Sequence, residues 1–276
     1  MSQILFVLKC ILLGIVEGVS EFLPISSTGH LIIFTDVLGM ERDQQFMNMF
    51  NVVIQLGAIL AVLLLFWPRI ADCLIGLFRG DKTQRRFFFA WIIACVPAAF
   101  LGFFLDDLIE TRLFSVPTVV LALVAGGGLM IVLEKMWGKR GLRRERADID
   151  YPSALRVGLW QCLALWPGFS RSASTIMGGW SASMTTGLAA EFSFFVAIPI
   201  MFGASGLKLV KFNFSGVALY QIVGLVLGFL VAFLAALLVV RAFMAFLKRR
   251  PLAYFAYYRF ALAGILLILL LTGVIA

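Results

Sequence analysis

Two carboxylates, Glu17 and Glu21, lie four residues apart in an otherwise apolar segment, and the chain's only histidine, His30, follows them. At bilayer depth a carboxylate costs about 2.5 to 3.5 kcal/mol on translocon scales, so two of them indicate a function or a partner. On a helix this spacing puts both on one face, where they can share a divalent cation or a proton. Ser27 precedes His30 by three residues, a spacing at which imidazole can activate a hydroxyl.

A second polar run, residues 167–175 (PGFSRSAST), surrounds one arginine, Arg171, with hydroxyl side chains just before a new helix. Free N–H groups at a helix N-terminus, hydroxyl donors and a guanidinium fork together form an anion site suited to phosphate. For a single serine, N-capping or helix packing is the better explanation. The candidate phosphate ligands are Ser26, Thr28, Ser170, Arg171, Ser172 and Thr175.

Composition sets the class of protein that must position these residues. Of 276 residues, 62% are apolar and only 14% are charged, which indicates a polytopic membrane protein and excludes a soluble domain. The net charge of +8 needs no nucleic-acid partner, because most Lys and Arg fall in three segments, as in cytoplasmic loops. The cysteines have no paired spacing, so we expect reduced packing residues at Cys10, Cys73, Cys95 and Cys162.

Six apolar stretches are long enough to span a bilayer as helices: 46–67, 87–105, 117–134, 189–210, 216–240 and 254–275. Two further apolar regions, 4–38 and 154–185, are broken near their middle by Pro, Gly and Ser. Each arm of these regions is expected to be too short to cross about 30 Å of hydrocarbon. They are therefore predicted to be re-entrant helical hairpins.

The basic segments predict the orientation. If 68–86, 135–153 and 241–253 are cytoplasmic, the first hairpin enters from the outer face and the second from the cytoplasm. The two hairpins also share a weak sequence repeat, in which Gln161 matches Glu17. The fold prediction is an all-α polytopic membrane protein, with six transmembrane helices and two re-entrant hairpins in an inverted-topology repeat. It forms one domain, 1–276, with halves 1–116 and 117–276.

The runs 17–30 (EGVSEFLPISSTGH) and 167–172 (PGFSRS) resemble the two signature motifs of the bacterial undecaprenyl-diphosphate phosphatase family, also called bacitracin resistance protein. The resemblance covers essentially the whole chain, including 50–57 (FNVVIQLG) and 191–194 (EFSF). Ser20 replaces a more usual Thr, and Ala173 stands where Gly is expected, which would restrict the backbone of the phosphate loop.

This resemblance implies an inner-membrane enzyme that removes the terminal phosphate of undecaprenyl diphosphate, which recycles the lipid carrier for peptidoglycan synthesis. It implies a site open to the periplasm and a divalent cation, Mg²⁺ or Ca²⁺, for which Glu17 and Glu21 are the candidate ligands. The expected partners are the polyprenyl diphosphate lipid, the bilayer and a second copy of the chain, without nucleic acid. The functional residues it implies are Glu17, Glu21, Ser27, His30, Ser170, Arg171 and Thr175.

The predicted mechanism has Ser27 attack the terminal phosphorus with help from His30, while direct attack by His30 or by an activated water stays open. Glu17 and Glu21 act either as metal ligands or as a base. Because inverted repeats with broken helices are typical of transporters, a lipid-phosphate transporter or flippase is the alternative function. The phosphatidic-acid phosphatase fold is excluded, since its mechanism uses two histidines and this chain has one.

Overall fold

The computed structural model describes residues 2–40, 44–138, 141–143, 145, 148–212, 216–247 and 249–275. Parts of the predicted segments 135–153 and 241–253 lie outside these ranges. All four cysteines are free thiols, as the sequence predicts. The described residues form no β-strand, and their α-helices are α1 (Gln3–Ser20), α2 (Ser27–Val37), α3 (Gln44–Leu65), α4 (Trp67–Arg79), α5 (Lys82–Leu113), α6 (Val116–Leu133), α7 (Tyr151–Gln161), α8 (Arg171–Ser181), α9 (Thr186–Lys211), α10 (Leu219–Leu247) and α11 (Ala253–Leu271).

Seven of these helices are long and apolar enough to cross a membrane, so the chain is a multi-pass membrane protein. Six of them, α3, α5, α6, α9, α10 and α11, each contain most of one predicted span, and no predicted span extends beyond its helix by more than four residues at either end. The seventh is α1, for which the prediction of an arm too short to span is wrong. Its 18 residues reach about 27 Å at 1.5 Å per residue, because the helix continues unbroken through the buried Glu17.

The other arms of the two broken regions are short, as predicted. Helices α2, α7 and α8 have 11 residues each, about 16 Å in length. The breaks follow from the sequence, since Pro24 and Pro167 cannot donate a backbone hydrogen bond and disfavour helical geometry in the residue before them. A short 3₁₀ turn, Cys162–Leu165, lies between α7 and the second break.

One predicted loop is a helix. The segment 68–86 is predicted as a cytoplasmic loop from its charges, but its residues 68–79 belong to α4, which has Pro68 in its first turn and ends at Gly80 with φ 79°. The helix is amphipathic, with Ile70 and Cys73 buried and Arg79 exposed. Charge counting alone misses such a helix, because its basic residues occupy only one face.

Glycine allows α1 to pack very closely against α10. A Cβ added at Gly14 would lie 2.4 Å from the carbonyl oxygen of Gly228, and one added at Gly18 would lie 2.4 Å from that of Ala232. This is the small-xxx-small pattern by which membrane helices bring their backbones together. The contact holds in place the helix that carries Glu17, and beyond it Glu21.

We expect Gly18→Ala to lower the free energy of unfolding by about 1 to 3 kcal/mol, because the added methyl overlaps a backbone carbonyl that cannot move alone. Equilibrium unfolding in detergent micelles measures the change. Gly128→Ala is the matched control, since a Cβ there meets nothing within 4 Å. Equal stability of the Gly18 and Gly128 variants would contradict close packing of α1 on α10.

Candidate active site

Both broken regions restart as helices in the same way. The first loop, residues 21–26, leads into α2, and the second loop, residues 166–172, leads into α8 and includes its first two residues. Ser26 precedes α2 with φ 72°, and Ser170 precedes α8 with φ 75°. Each serine hydroxyl accepts a hydrogen bond from a backbone N–H three residues on, at 3.3 and 3.4 Å, so both are N-caps. A positive φ at a residue other than glycine costs about 1 to 3 kcal/mol and tends to occur at functional sites.

Neither departure from the family pattern distorts these loops. Ala173 lies in the first turn of α8 and has no positive φ, so a helical alanine fits where glycine is expected. The hydroxyl of Ser20 donates to the carbonyl of Val16 at 2.6 Å, within its own helix.

An ion pair joins the two loops. Arg171 Nη2 donates to Glu21 Oε1 at 3.2 Å, with side-chain exposures of only 12% and 8%. The guanidinium also lies over the ring of Phe22, 5.4 Å from its centroid. A second bond between the loops runs from the Ser172 hydroxyl to the carbonyl of Leu23 at 3.0 Å. The broken helices are therefore held together by charge and by backbone contact.

The other oxygen of Glu21 accepts a hydrogen bond from Ser27. The distance from Ser27 Oγ to Glu21 Oε2 is 2.6 Å, so the carboxylate joins the serine hydroxyl to Arg171. The expected contact between Ser27 and His30 is not the one formed, since the partner of the hydroxyl is Glu21.

His30 is buried, and both of its ring nitrogens have partners. Nδ1 lies 2.7 Å from the carbonyl oxygen of Ser26, and Nε2 lies 2.7 Å from the hydroxyl of Tyr258. Three-residue spacing on α2 puts Ser27 and His30 on neighbouring turns, but the imidazole turns toward Ser26 and α11.

The two loops enclose a pocket of about 150 Å³. Six of the predicted site residues line it, together with Gln55 of α3 and backbone of the second loop. The rest of the predicted set, Glu17, His30, Ser172 and Thr175, do not line it. The six that do are Glu21, Ser26, Ser27, Thr28, Ser170 and Arg171.

The buried Thr175 supports the arginine instead of facing the pocket. Its hydroxyl lies 2.6 Å from that of Ser193 on α9, whose hydroxyl and carbonyl both accept from Arg171 Nη1, at 3.4 and 3.3 Å. Arg171 Nε is buried and has no hydrogen-bond partner in the part of the chain that the structure describes, so the guanidinium keeps donor capacity.

Glu17 is the most deeply buried acid of the predicted set, with 1% of its surface exposed. It lies close enough to Glu21 and Arg171 to interact with both electrostatically. Its Oε2 atom has no hydrogen-bond partner among the described residues. A buried oxygen left in this way fits a ligand of a cation, although no cluster of three or more His, Cys, Asp or Glu side chains occurs in the described ranges.

Several residues at the site escape sequence reasoning. Ser193 and Gln55 lie within the runs 191–194 and 50–57 but resemble ordinary polar residues in spans. Tyr258 and Arg259 lie in α11, where the arginine could have been noticed because a charged residue inside an apolar span indicates a functional or partnered site. Spacing alone cannot identify these residues, since each reaches the site from a distant helix.

Comparison with known proteins shows the family of the chain. A family model described as bacitracin resistance protein BacA matches residues 10–265. The chain belongs to this family. It is 49% identical over 265 residues to the undecaprenyl-diphosphatase of Clostridium tetani, covering 96% of this chain and 97% of that relative. It is 46% identical to the undecaprenyl-diphosphatase of Ruminiclostridium cellulolyticum, over 97% of this chain and 98% of that relative. It is 42% identical to undecaprenyl-diphosphatase 2 of Clostridioides difficile, over 99% of this chain and 98% of that relative.

In this BacA family member we expect Arg171→Gln to lower the free energy of unfolding by about 3 to 5 kcal/mol, because it leaves the buried Glu21 charge without its partner. The double variant Arg171→Gln/Glu21→Gln should lose less than Arg171→Gln alone. Unfolding in detergent measures the coupling.

Arg69→Gln is the matched control for that cycle. Arg69 pairs with Glu191 at 2.5 Å but is 47% exposed, so its removal should cost less than about 1 kcal/mol. Independent, additive losses for Arg171 and Glu21 would contradict a stabilising pair between the loops.

Proposed function

We propose that this protein hydrolyses undecaprenyl diphosphate to undecaprenyl phosphate and inorganic phosphate, which recycles the carrier lipid of peptidoglycan synthesis and confers bacitracin resistance. The names of its relatives support this substrate. The observation that carries the proposal is the pocket where Arg171 meets the linked pair Glu21 and Ser27. It offers a cation, hydroxyl donors and a hydroxyl beside a carboxylate, which are the groups that phosphoryl transfer requires.

Arg171 is the proposed ligand of the diphosphate. Phosphate oxygens compete with Glu21 for the guanidinium, and the free Nε donor adds capacity for a second contact. The hydroxyls of Ser26, Thr28 and Ser170 line the same pocket and donate to the remaining oxygens. Thr175 and Ser172 do not line the pocket. The Thr175 hydroxyl holds Arg171 by donating to its carbonyl, and the Ser172 hydroxyl holds the first loop by donating to the carbonyl of Leu23.

The proposed nucleophile is Ser27, with Glu21 as its base. The Ser27 oxygen attacks the terminal phosphorus, its proton passes to Glu21, and the bond from that phosphorus to the bridging oxygen breaks to release undecaprenyl phosphate. Water then hydrolyses the phosphoserine. His30 as nucleophile and an activated water stay as alternatives.

A divalent cation, Mg²⁺ or Ca²⁺, is proposed as cofactor, held by Glu17 and Glu21. The free buried Oε2 of Glu17 suits this ligand. Charge favours it too, because Glu17, Glu21 and Arg171 carry two negative charges and one positive when all are ionised, and the substrate adds more negative charge. When bound, the cation would neutralise charge on the transferring phosphoryl group.

The proposed architecture keeps the inverted repeat. It is supported by reciprocal packing, since α1 of the first hairpin packs on α10 while α7 of the second packs on α5, and α6 packs on α11. In this arrangement α6 corresponds to α11, which favours a boundary between the halves after α6 and not at 116/117. The proposed location is the bacterial inner membrane, with α7 and α8 as a re-entrant hairpin and a site open to the periplasm. A homodimer is also predicted, and the mass of the protein measured by light scattering in detergent tests it.

Purified protein should release phosphate from undecaprenyl diphosphate, and Ser27→Ala should lower kcat by about 10³-fold or more, as loss of a nucleophile does. His30→Ala should be impaired but not abolished. If Ser27→Ala has a near-normal kcat and His30→Ala is inactive, serine is excluded as the nucleophile. If the protein moves lipid across vesicles but releases no phosphate, the transporter alternative is favoured.

Removal of divalent cations with a chelator should abolish phosphate release, and adding Mg²⁺ or Ca²⁺ back should restore it. Glu17→Gln should raise the cation concentration needed for half-maximal activity by about 10-fold or more, because it removes the proposed ligand charge. Glu191→Gln, at an acid paired with exposed Arg69, is the control and should leave that concentration unchanged. Chelator-resistant activity would contradict the cation site.

A further inference from the structure

Arg259 is a fully buried arginine whose hydrogen-bond partners, among the described residues, are backbone carbonyls. Its guanidinium donates to the carbonyls of Ala122 and Leu123 on α6, at 2.9 and 3.2 Å, and to those of Gly168 and Phe169 in the second loop, at 3.3 and 2.9 Å. It forms no ion pair with a carboxylate among the described residues. A charge inside the membrane without a counter-ion is costly, so its persistence indicates a role.

Those bonds fix the direction of the second loop. A trans peptide is planar, so the carbonyl of Phe169 and the N–H of Ser170 point to opposite sides. With the carbonyl turned to Arg259, the N–H of Ser170 points away from it. Gly168, with φ 93°, lines the pocket at the same turn. Arg259 therefore binds two carbonyl oxygens of the second loop, which carries Arg171. Because these acceptors are occupied, the loop is better suited to bind an anion.

Tyr258, the preceding residue, makes the matching contact with the first loop. The carbonyl of Ser26 can only accept, so His30 Nδ1 carries the proton, and in the neutral ring Nε2 accepts from the Tyr258 hydroxyl at 2.7 Å. The two rings also stack, with centroids 5.5 Å apart and planes 10° apart. The Ser26 carbonyl thus sets the tautomer, and Tyr258 holds the imidazole through Nε2 and the parallel ring.

We propose that Tyr258 and Arg259 are positioning residues through which α11 holds both halves of the site, Tyr258 by orienting His30 and Arg259 by orienting the phosphate loop. Consecutive helical residues point about 100° apart, which lets one turn of α11 reach two loops. Neither side chain lines the pocket. This proposal rests on the proposed phosphatase function for its kinetic test, but its geometric part is tested without activity.

The geometric test uses the single histidine of the chain. With the affinity tag removed, protein labelled with ¹⁵N-histidine in detergent gives one imidazole, whose two nitrogen resonances report the tautomer. We expect the Nδ1–H tautomer in the parent protein and a displaced Nε2 resonance in Tyr258→Phe, which keeps the stacked ring but loses the hydroxyl. Tyr257→Phe, at a tyrosine 60% exposed, is the matched control and should leave both resonances unchanged. An unchanged spectrum in Tyr258→Phe would overturn the assignment for Tyr258.

The kinetic test measures phosphate release from undecaprenyl diphosphate. Tyr258→Phe should lower kcat by about 10-fold to 100-fold, with KM changed by less than about twofold, as losses of supporting contacts around a reacting group do. Adding Tyr258→Phe to His30→Gln should cause no further loss of kcat, since the tyrosine acts through the imidazole. Normal turnover in Tyr258→Phe would overturn the role, whereas inactivity of the parent protein would instead refute the phosphatase function and leave the spectral test intact.

Arg259 is tested with Arg259→Lys and Arg259→Met. Lysine keeps the charge but cannot donate in a fork to four carbonyls, so KM should rise about 10-fold, and methionine should raise it further. Melting temperatures measured alongside separate misfolding from loss of orientation. A folded Arg259→Lys protein with the parent KM and kcat would overturn the role of Arg259. If neither variant folds, the milder Gly126→Ala variant tests the same contact, since a Cβ there would lie 2.3 Å from Arg259 Nη2. Inorganic pyrophosphate, used as a competitive inhibitor of phosphate release, should inhibit this variant more weakly than the parent protein. Equal inhibition of the two proteins would overturn the role of Arg259.

Discussion

The ion pair between Arg171 and Glu21 holds together two helices that are broken inside an apolar protein. Backbone groups freed at such a break cannot be left exposed to lipid, so irregular chain at this depth is stable only where protein or a wet pocket satisfies it. Here the serine N-caps satisfy part of each loop, and the ion pair joins the loops across the pocket. The charges in turn are tolerated because each lies beside the other.

The rest of the fold acts to hold that pair in place. Close approach of α1 to α10 through Gly14 and Gly18 fixes the helix leading to Glu21, while Ser193 of α9 holds the guanidinium from behind. Arg259 fixes the second loop from α11. Each support comes from a different helix, so the site is rigid only when the whole bundle is assembled, as a preorganised electrostatic site requires.

The two loops contribute different side chains to one pocket. The first loop brings the acid and hydroxyls, and the second brings the arginine, although both restart their helices with a serine of positive φ. Because the backbones match and the side chains do not, one pocket holds a guanidinium and a carboxylate 3.2 Å apart, which neither loop provides alone. Glu21 lies at the centre because its two oxygens face Ser27 and Arg171.

Sequence alone determined the membrane class, six spans, both breaks and the residues of the two polar runs, since apolar length, proline and charge in an apolar segment act locally. It misjudged α1 as short and 68–79 as loop, because helix ends and amphipathic faces depend on what they pack against. Only the tertiary structure decided which groups meet. It gave Ser27 the partner Glu21 in place of His30, and brought Ser193, Tyr258 and Arg259 to the loops, because contacts between distant helices are set by packing and not by spacing along the chain.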